Sequence, residues 1–380
     1  MSKIDNLIKQ YCPNGVEYKT IKEIAEIGTG SSNRVDANKD GLYPFFVRSK
    51  DVLKINDFEF DEEAIIIPGE GGIGDIFHYI KGKYALHQRA YRIHFFIKEL
   101  NVKFAYYYMI AQFKSFIFSK AVNATVTSIR KPMIEKFKLP IPPLPVQEEI
   151  VKVLDAFTAL EAELEAELEA RKRQYEYYRN KLLTFDENTT GGGRIKFMQL
   201  GDVCIRQKGT PITAAVMKEI NKPEAPIRIF AGGNTFADVN YGDIPDKDLI
   251  TKTSIIVKSR GNIGFEFYTK PFSHKNEMWS YSSKSSDIDL KFVYYYLTNN
   301  IKEFQLKAKT GKLPQISTPD TDNYLIPILP LEEQERIVAI LDKFDSLVND
   351  ISEGLPAELT ARRQQYEYYR NKLLTFDEAA

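Results

Sequence analysis

The 380 residues are 43% apolar and 27% charged, with 52 Lys+Arg set against 52 Asp+Glu, the composition of a globular protein of two or three domains. Cys12 and Cys204 are too few for a disulfide framework. No apolar run approaches the ~18 residues of a membrane span, and MSKIDNLIKQYCPNG lacks a signal peptide's apolar core, so a reducing, cytoplasmic location is expected.

In chain order, β-like runs fall at 64–68 (AIIIP) and 91–97 (YRIHFFI), followed by an aromatic helical stretch at 103–121. GEGGIG (69–74) matches G-x-G-x-x-G through Gly69, Gly71 and Gly74. The residues after it read as extended rather than helical, so a tight turn is expected and not a dinucleotide fingerprint. From Gln147 to Phe185 no Gly or Pro intervenes. Ile150, Val153, Phe157, Leu160, Leu164, Tyr178 and Phe185 form a stripe at helical spacing, and Pro142, Pro143 and Pro145 punctuate its start. A helix of these 39 residues would run about 58 Å. Its centre, LEAELEAELEAR (160–171), consists of four-residue units of strong helix formers. NTTGGGR (188–194) reads as a linker, and SIIVK (254–258) as another strand. A second long helix is expected from Gln334 to Phe376, kinked or broken at Gly354 and Pro356. Such long polar helices need a helical partner, and the two copies packed antiparallel supply one.

The chain repeats itself. QYEYYRNKLLTFDE occurs unchanged at 174–187 and 365–378. Upstream, 140–157 parallels 327–344, pairing Gln147 with Gln334, Asp155 with Asp342 and Phe157 with Phe344. The offset grows from 187 to 191 between these blocks, which puts four extra residues in the second helix. Fainter matches join Tyr106-Tyr107-Tyr108 to Tyr294-Tyr295-Tyr296, and EAIIIPGEGGIG (63–74) to TSIIVKSRGNIG (253–264). This is domain duplication. Charge follows the same division: residues 1–146 sum to +5, 147–187 to −5, 188–332 to +4 and 333–380 to −4. Basic globular parts alternate with acidic helices, a distribution that suits a polyanionic partner.

Catalytic signatures are absent. There is no G-x-x-x-x-G-K-[ST] and no base-methyltransferase N-P-P-[YF] or D-P-P-[YF] motif, and His78, His87, His94 and His274 lack metal-ligand spacing. No metal site is expected. His87 and His274 align, and both read as structural or phosphate-contacting residues. What remains is a set of basic and polar loops whose side chains suit phosphates and base edges. In the first half these carry Arg34; Arg48 and Lys50; Gln88, Arg89 and Arg92; and Thr127, Arg130 and Lys131. In the second half they carry Arg206 and Lys208; Arg260 and Asn262; Lys275; and Lys309, Lys312 and Gln315.

PxPPLxxQEEIVxxLDxF, which the second copy keeps except at Leu329 and Arg336, together with the long helix and RxxQYEYYRxKLLTF, present twice, resemble the specificity subunits of type I restriction–modification systems over essentially the whole chain. The resemblance implies an α+β fold. Two α/β target recognition domains (1–146 and 188–332) would be joined and spaced by two long antiparallel helices (147–187 and 333–380) across a pseudo-two-fold. It implies a non-catalytic chain that reads double-stranded DNA, each domain taking one half of a split, asymmetric site. The helices would dock two methyltransferase subunits through Gln147, Ile150, Phe157, Tyr175 and Tyr178, and through Gln334, Ile337, Phe344, Tyr366 and Tyr369. Restriction subunits can join, and the partner methyltransferase would use S-adenosylmethionine to modify adenine. A coiled-coil scaffold for proteins is the alternative from another class, but it leaves the two basic halves unexplained.

Overall fold

The structure is a computed structural model that describes residues 3–119, 128–185, 195–308, 313–350 and 352–379. It divides into two compact units, one made of residues 1–166 with 358–380 and the other of residues 167–357. Each unit joins a globular domain to the beginning of one repeat helix and the end of the other.

In the first unit six strands form one sheet: β1 (Ala25–Thr29), β2 (Tyr43–Phe46), β3 (Val52–Ile55), β4 (Phe60–Pro68), β5 (His78–Leu86) and β6 (Ala90–Phe95). Their order is β1-β6-β4-β5-β2-β3, antiparallel except where β2 pairs with β5. The AIIIP run forms the buried end of β4, and GEGGIG turns the chain toward β5, as its composition predicts. Helix α1 (Val102–Ser119) covers the sheet, burying Phe104, Met109, Phe113 and Ile117 among Ile65, Ile67 and Ile93. Leu373 and Leu374 complete this core from the far end of the chain. The repeat helix α2 (Leu144–Leu183) starts three residues before the sequence suggests. Proline in the first turn has no N–H to satisfy, so Pro145 does not delay the helix.

The second unit reuses the plan. Its strands are β7 (Cys204–Lys208), β8 (Ile227–Phe230), β9 (Phe236–Val239), β10 (Ser254–Lys258), β11 (Gly264–Tyr268), β12 (Phe272–His274) and β13 (Trp279–Ser283). They form two sheets, β7-β13-β10-β11 and β9-β8-β12. The single strand β5 of the first unit corresponds to β11 and β12 here, and Pro271 lies between them. Proline cannot donate to a ladder, so the strand stops and restarts around it. Helix α3 (Leu290–Asn299) takes the place of α1 and carries the second tyrosine triplet.

The second repeat is two helices, α4 (Leu331–Asn349) and α5 (Leu355–Leu373), with the break the sequence places at Gly354 and Pro356. A Cβ on Gly354 would sit 2.4 Å from the Ser346 carbonyl oxygen, so only glycine lets the chain fold back against the end of α4. The Asp350 carboxylate accepts from the Ser352 and Glu353 N–H groups and fixes the turn. Within the first unit α2 and α5 run antiparallel. Phe157 meets Tyr366 and Tyr369, and four residues further along α2 Glu161 takes the earlier residue Arg363. Among the described residues no helix is long and apolar enough to cross a membrane.

Candidate nucleic-acid interface and helical faces

In the first unit the turn after β4 anchors a polar cluster. The Ile129 N–H donates to the Gly69 carbonyl at 2.7 Å, and Glu70 bridges Ser128. Glu70 Oε2 accepts from Arg48 Nη1 at 2.9 Å and from Arg89 Nη1 at 3.2 Å. Gln88 Nε2 donates to Asn33 Oδ1 at 2.6 Å. Two adjoining clefts of about 280 and 310 Å³ share Glu70 as a wall. The first is also lined by Arg34, Arg48 and His87, the second by Gln88, Arg89 and Arg130. Five of the sequence-predicted residues therefore converge. Lys50 and Lys131 are exposed nearby in sequence, and Thr127 lies outside the described residues.

Arg92 is the exception and corrects the sequence reading. HQRAYR is not one loop: from Ala90 it is strand β6, which turns Arg92 inward to 8% exposure. Its guanidinium pairs with Glu62 at 3.0 Å and with Glu26, and it lies over the Phe60 ring. Gly28 stands directly opposite on β1 and leaves the space it fills. A buried cation already held by two carboxylates is not available to a phosphate.

The second unit builds a corresponding cluster. Arg260 bridges Gln315, and the Ile316 N–H donates to the Ser259 carbonyl at 3.0 Å, the counterpart of the Ile129–Gly69 bond. Lys275 pairs with Glu277 at 2.9 Å, and the Glu277 carbonyl accepts from Ser259 Oγ at 2.6 Å. Arg260, Gln315 and Lys275 are thus joined through one loop system, with Asn262 exposed two residues on. Arg206 and Lys208 are exposed on β7, and Asp322 holds Arg206 at 3.2 Å. Among the described residues no hydrogen bond or ion pair ties Arg206 to the Arg260 group. Lys309 and Lys312 lie outside the described residues. His87 and His274 are buried. Burial, then the nearby Arg48 and Arg89, lowers the pKa of His87, and burial brings that of His274 to about 4. Both are neutral scaffold groups near neutral pH.

The helical residues sort differently from the sequence reading. Gln147 and Gln334 are buried at 0 and 1% exposure, as are Ile150 and Ile337 at 0 and 2%. Gln147 Oε1 accepts from the Asn101 N–H, and its Nε2 donates to the Glu99 and Pro142 carbonyls. Gln334 does the same with Asp289, Asp287 and Leu329. These glutamines clamp each helix start to its own domain and offer nothing to a partner. Phe157 stacks on Tyr369 at 5.6 Å, and Phe344 on Tyr178 at 5.6 Å. Tyr366 and Tyr175 complete the two stacks, with Tyr175 only 8% exposed. Spacing identifies an inward stripe but not what it packs against. The most open aromatics of the invariant segment are Tyr177 and Tyr368, 60 and 62% exposed, each edge-on to its neighbour at 5.3 Å. Sequence reasoning missed them, although their place off the stripe in an unchanged repeat was the available signal.

The comparisons with known proteins agree with this architecture. Residues 13–170 and 194–361 each match the family described as type I restriction modification DNA specificity domain. A putative type I restriction enzyme specificity subunit of Haemophilus influenzae is 29% identical over 95% of this chain and 96% of its own. The specificity subunit of the EcoR124I and EcoR124II enzymes of Escherichia coli is 34% identical over 63% of each chain. Among solved structures, the S subunit of the type I restriction–modification system of M. genitalium has a TM-score of 0.64 at 18% identity, covering 95% of this chain and 96% of its own. This chain belongs to the type I restriction–modification DNA specificity family, with two copies of the specificity domain.

Proposed function

We propose that each unit reads one half of an asymmetric, two-part DNA sequence through its loop cluster, while the repeat-helix faces dock two copies of one methyltransferase subunit. The observation that carries this reading is the contrast between the copies. The helix segment from Gln174 is identical in both, whereas the loops on a common strand frame differ in nearly every polar side chain. A constant surface suits a constant partner, and differing surfaces suit differing half-sites. Arg34, Arg48, Arg89 and Arg130 on one unit and Arg260 and Lys275 on the other give the local positive charge that phosphates require, despite zero net charge overall. Methyl transfer from S-adenosylmethionine to adenine belongs to the partner in this reading, and restriction subunits can join the assembly. Methylation-motif sequencing of cells carrying this chain with its methyltransferase tests it. Two unlike half-sites separated by unread bases are expected, and a contiguous or palindromic motif would overturn it.

A further inference from the structure

The two units carry one loop with its tip residue reversed in charge. After β4 the chain runs Gly69-Glu70-Gly71-Gly72-Ile73-Gly74, and after β10 it runs Ser259-Arg260-Gly261-Asn262-Ile263-Gly264. The two loops match at the tip and diverge beyond it, where Gly72 and Gly74 have positive φ but Asn262 and Gly264 do not. Gly71 and Gly261 have φ of +73° and +76°, a region that disfavours side chains, and a Cβ on either would meet open space. Ile73 and Ile263 are buried at 8 and 5% exposure and pin the far side. Glu70 bridges Ser128 where Arg260 bridges Gln315. The tip glycine, the buried isoleucine and the bridge are shared, and the group presented beside them differs.

A carboxylate amid Arg34, Arg48, Arg89 and Arg130 is at odds with a purely phosphate-binding surface, because phosphates repel it. Holding the arginines accounts for only half of it. Arg48 and Arg89 both donate to Oε2, and among the described residues no hydrogen bond reaches Oε1. An ionised carboxylate only accepts. In a major groove the exocyclic amino groups of cytosine and adenine are the donors open to it, whereas an arginine on the same frame donates to guanine O6 and N7. We propose that Glu70 and Arg260 are equivalent specificity-determining residues, Glu70 accepting from an amino-bearing base in one half-site and Arg260 donating to a guanine in the other. This rests on the two-half-site reading above.

The test uses the full chain assembled with its methyltransferase, first by motif sequencing of Glu70→Gln and Arg260→Gln. Glutamine both donates and accepts and favours adenine. Each variant should change or relax one base pair in one half-site and leave the other half-site intact. A second measurement needs no folded variant. Duplexes in which each cytosine or adenine is replaced in turn by an analogue lacking the amino group compete for the wild-type complex. One position in the half-site read by the first unit should lose roughly ten- to hundredfold in binding. Where Glu70→Gln assembles, it should reduce that loss. Unchanged base preferences in both variants, or no amino-dependent position in that half-site, would overturn the proposal while leaving a bipartite wild-type motif intact. A wild-type motif that is not bipartite would instead defeat the reading beneath it.

Discussion

Tyr107 donates its phenol proton to Asp155 at 2.6 Å, joining the helix that covers the first sheet to the long repeat helix. Lys103 adds an ion pair to the same carboxylate at 2.6 Å. Lys291, Tyr295 and Asp342 repeat the arrangement in the second unit, at 2.7 and 2.5 Å. Burial, and then the carboxylate, raises the pKa of both phenols, so they stay protonated donors through the physiological range. We expect Tyr107→Phe and Tyr295→Phe each to cost about 1–2 kcal/mol, since a bond to a charged acceptor is lost while lysine still satisfies the carboxylate. Urea unfolding of the full chain measures this, and no change in either variant would refute the tie.

Gln147→Ala and Gln334→Ala should each cost more, about 2–3 kcal/mol, because three backbone groups around a buried amide lose their partner at once. The residues lie inside their own units. Affinity for the methyltransferase, measured on folded protein, should therefore change little.

Tyr177→Ala and Tyr368→Ala should leave folding within about 0.5 kcal/mol, as expected for exposed side chains. If the helix faces dock the methyltransferase, each should weaken one of two docking events by more than about 1 kcal/mol, as exposed aromatic anchors do. Native mass spectrometry should then show one partner copy lost in each single variant and both in the double. Full occupancy by the double variant would exclude these tyrosines from docking.

His274 supplies a pH dependence. Its pKa falls from the ordinary 6.5 to about 4 on folding, chiefly through burial, so between those values the unfolded chain binds a proton that the folded one does not. Its contribution is complete above about pH 6.5 and is lost as pH drops toward 4, on the order of 3 kcal/mol in all. His274→Gln should flatten the stability profile in that window relative to wild type. An identical profile in the variant would assign the acid sensitivity elsewhere.

Deleting residues 164–167 removes one four-residue unit from the continuous helix α2 and leaves its sequence pattern intact. The helix shortens by about 6 Å. On the proposed function, the unread gap in the methylated motif should shrink by roughly one or two base pairs with both half-sites unchanged.

The repeat, the long helices and their single interruption were legible because they rest on identity, helical spacing and Gly354 with Pro356. The strands at 64–68 and 254–258 and the glycine turn between β4 and β5 were legible for similar local reasons. The misreadings share a cause. Arg92 and Gln147 carry polar side chains that composition assigns to the surface, and only the fold reveals Glu62, Glu26 and the backbone groups that satisfy them indoors. The stripe through Ile150 and Ile337 marked a buried face, but whether a domain or a partner covers it depends on contacts distant in sequence. The tyrosine triplets and the aspartates were visible as repeats, although their pairing was not.

The first unit is assembled from both ends of the chain, whereas the second is one unbroken segment. A ribosome therefore delivers everything the second unit needs before it makes Leu373 and Leu374, which the first unit's core requires. In synthesis the order of completion runs opposite to the order of sequence. The first domain emerges early and waits with part of its apolar core open until α5 leaves the ribosome and closes it.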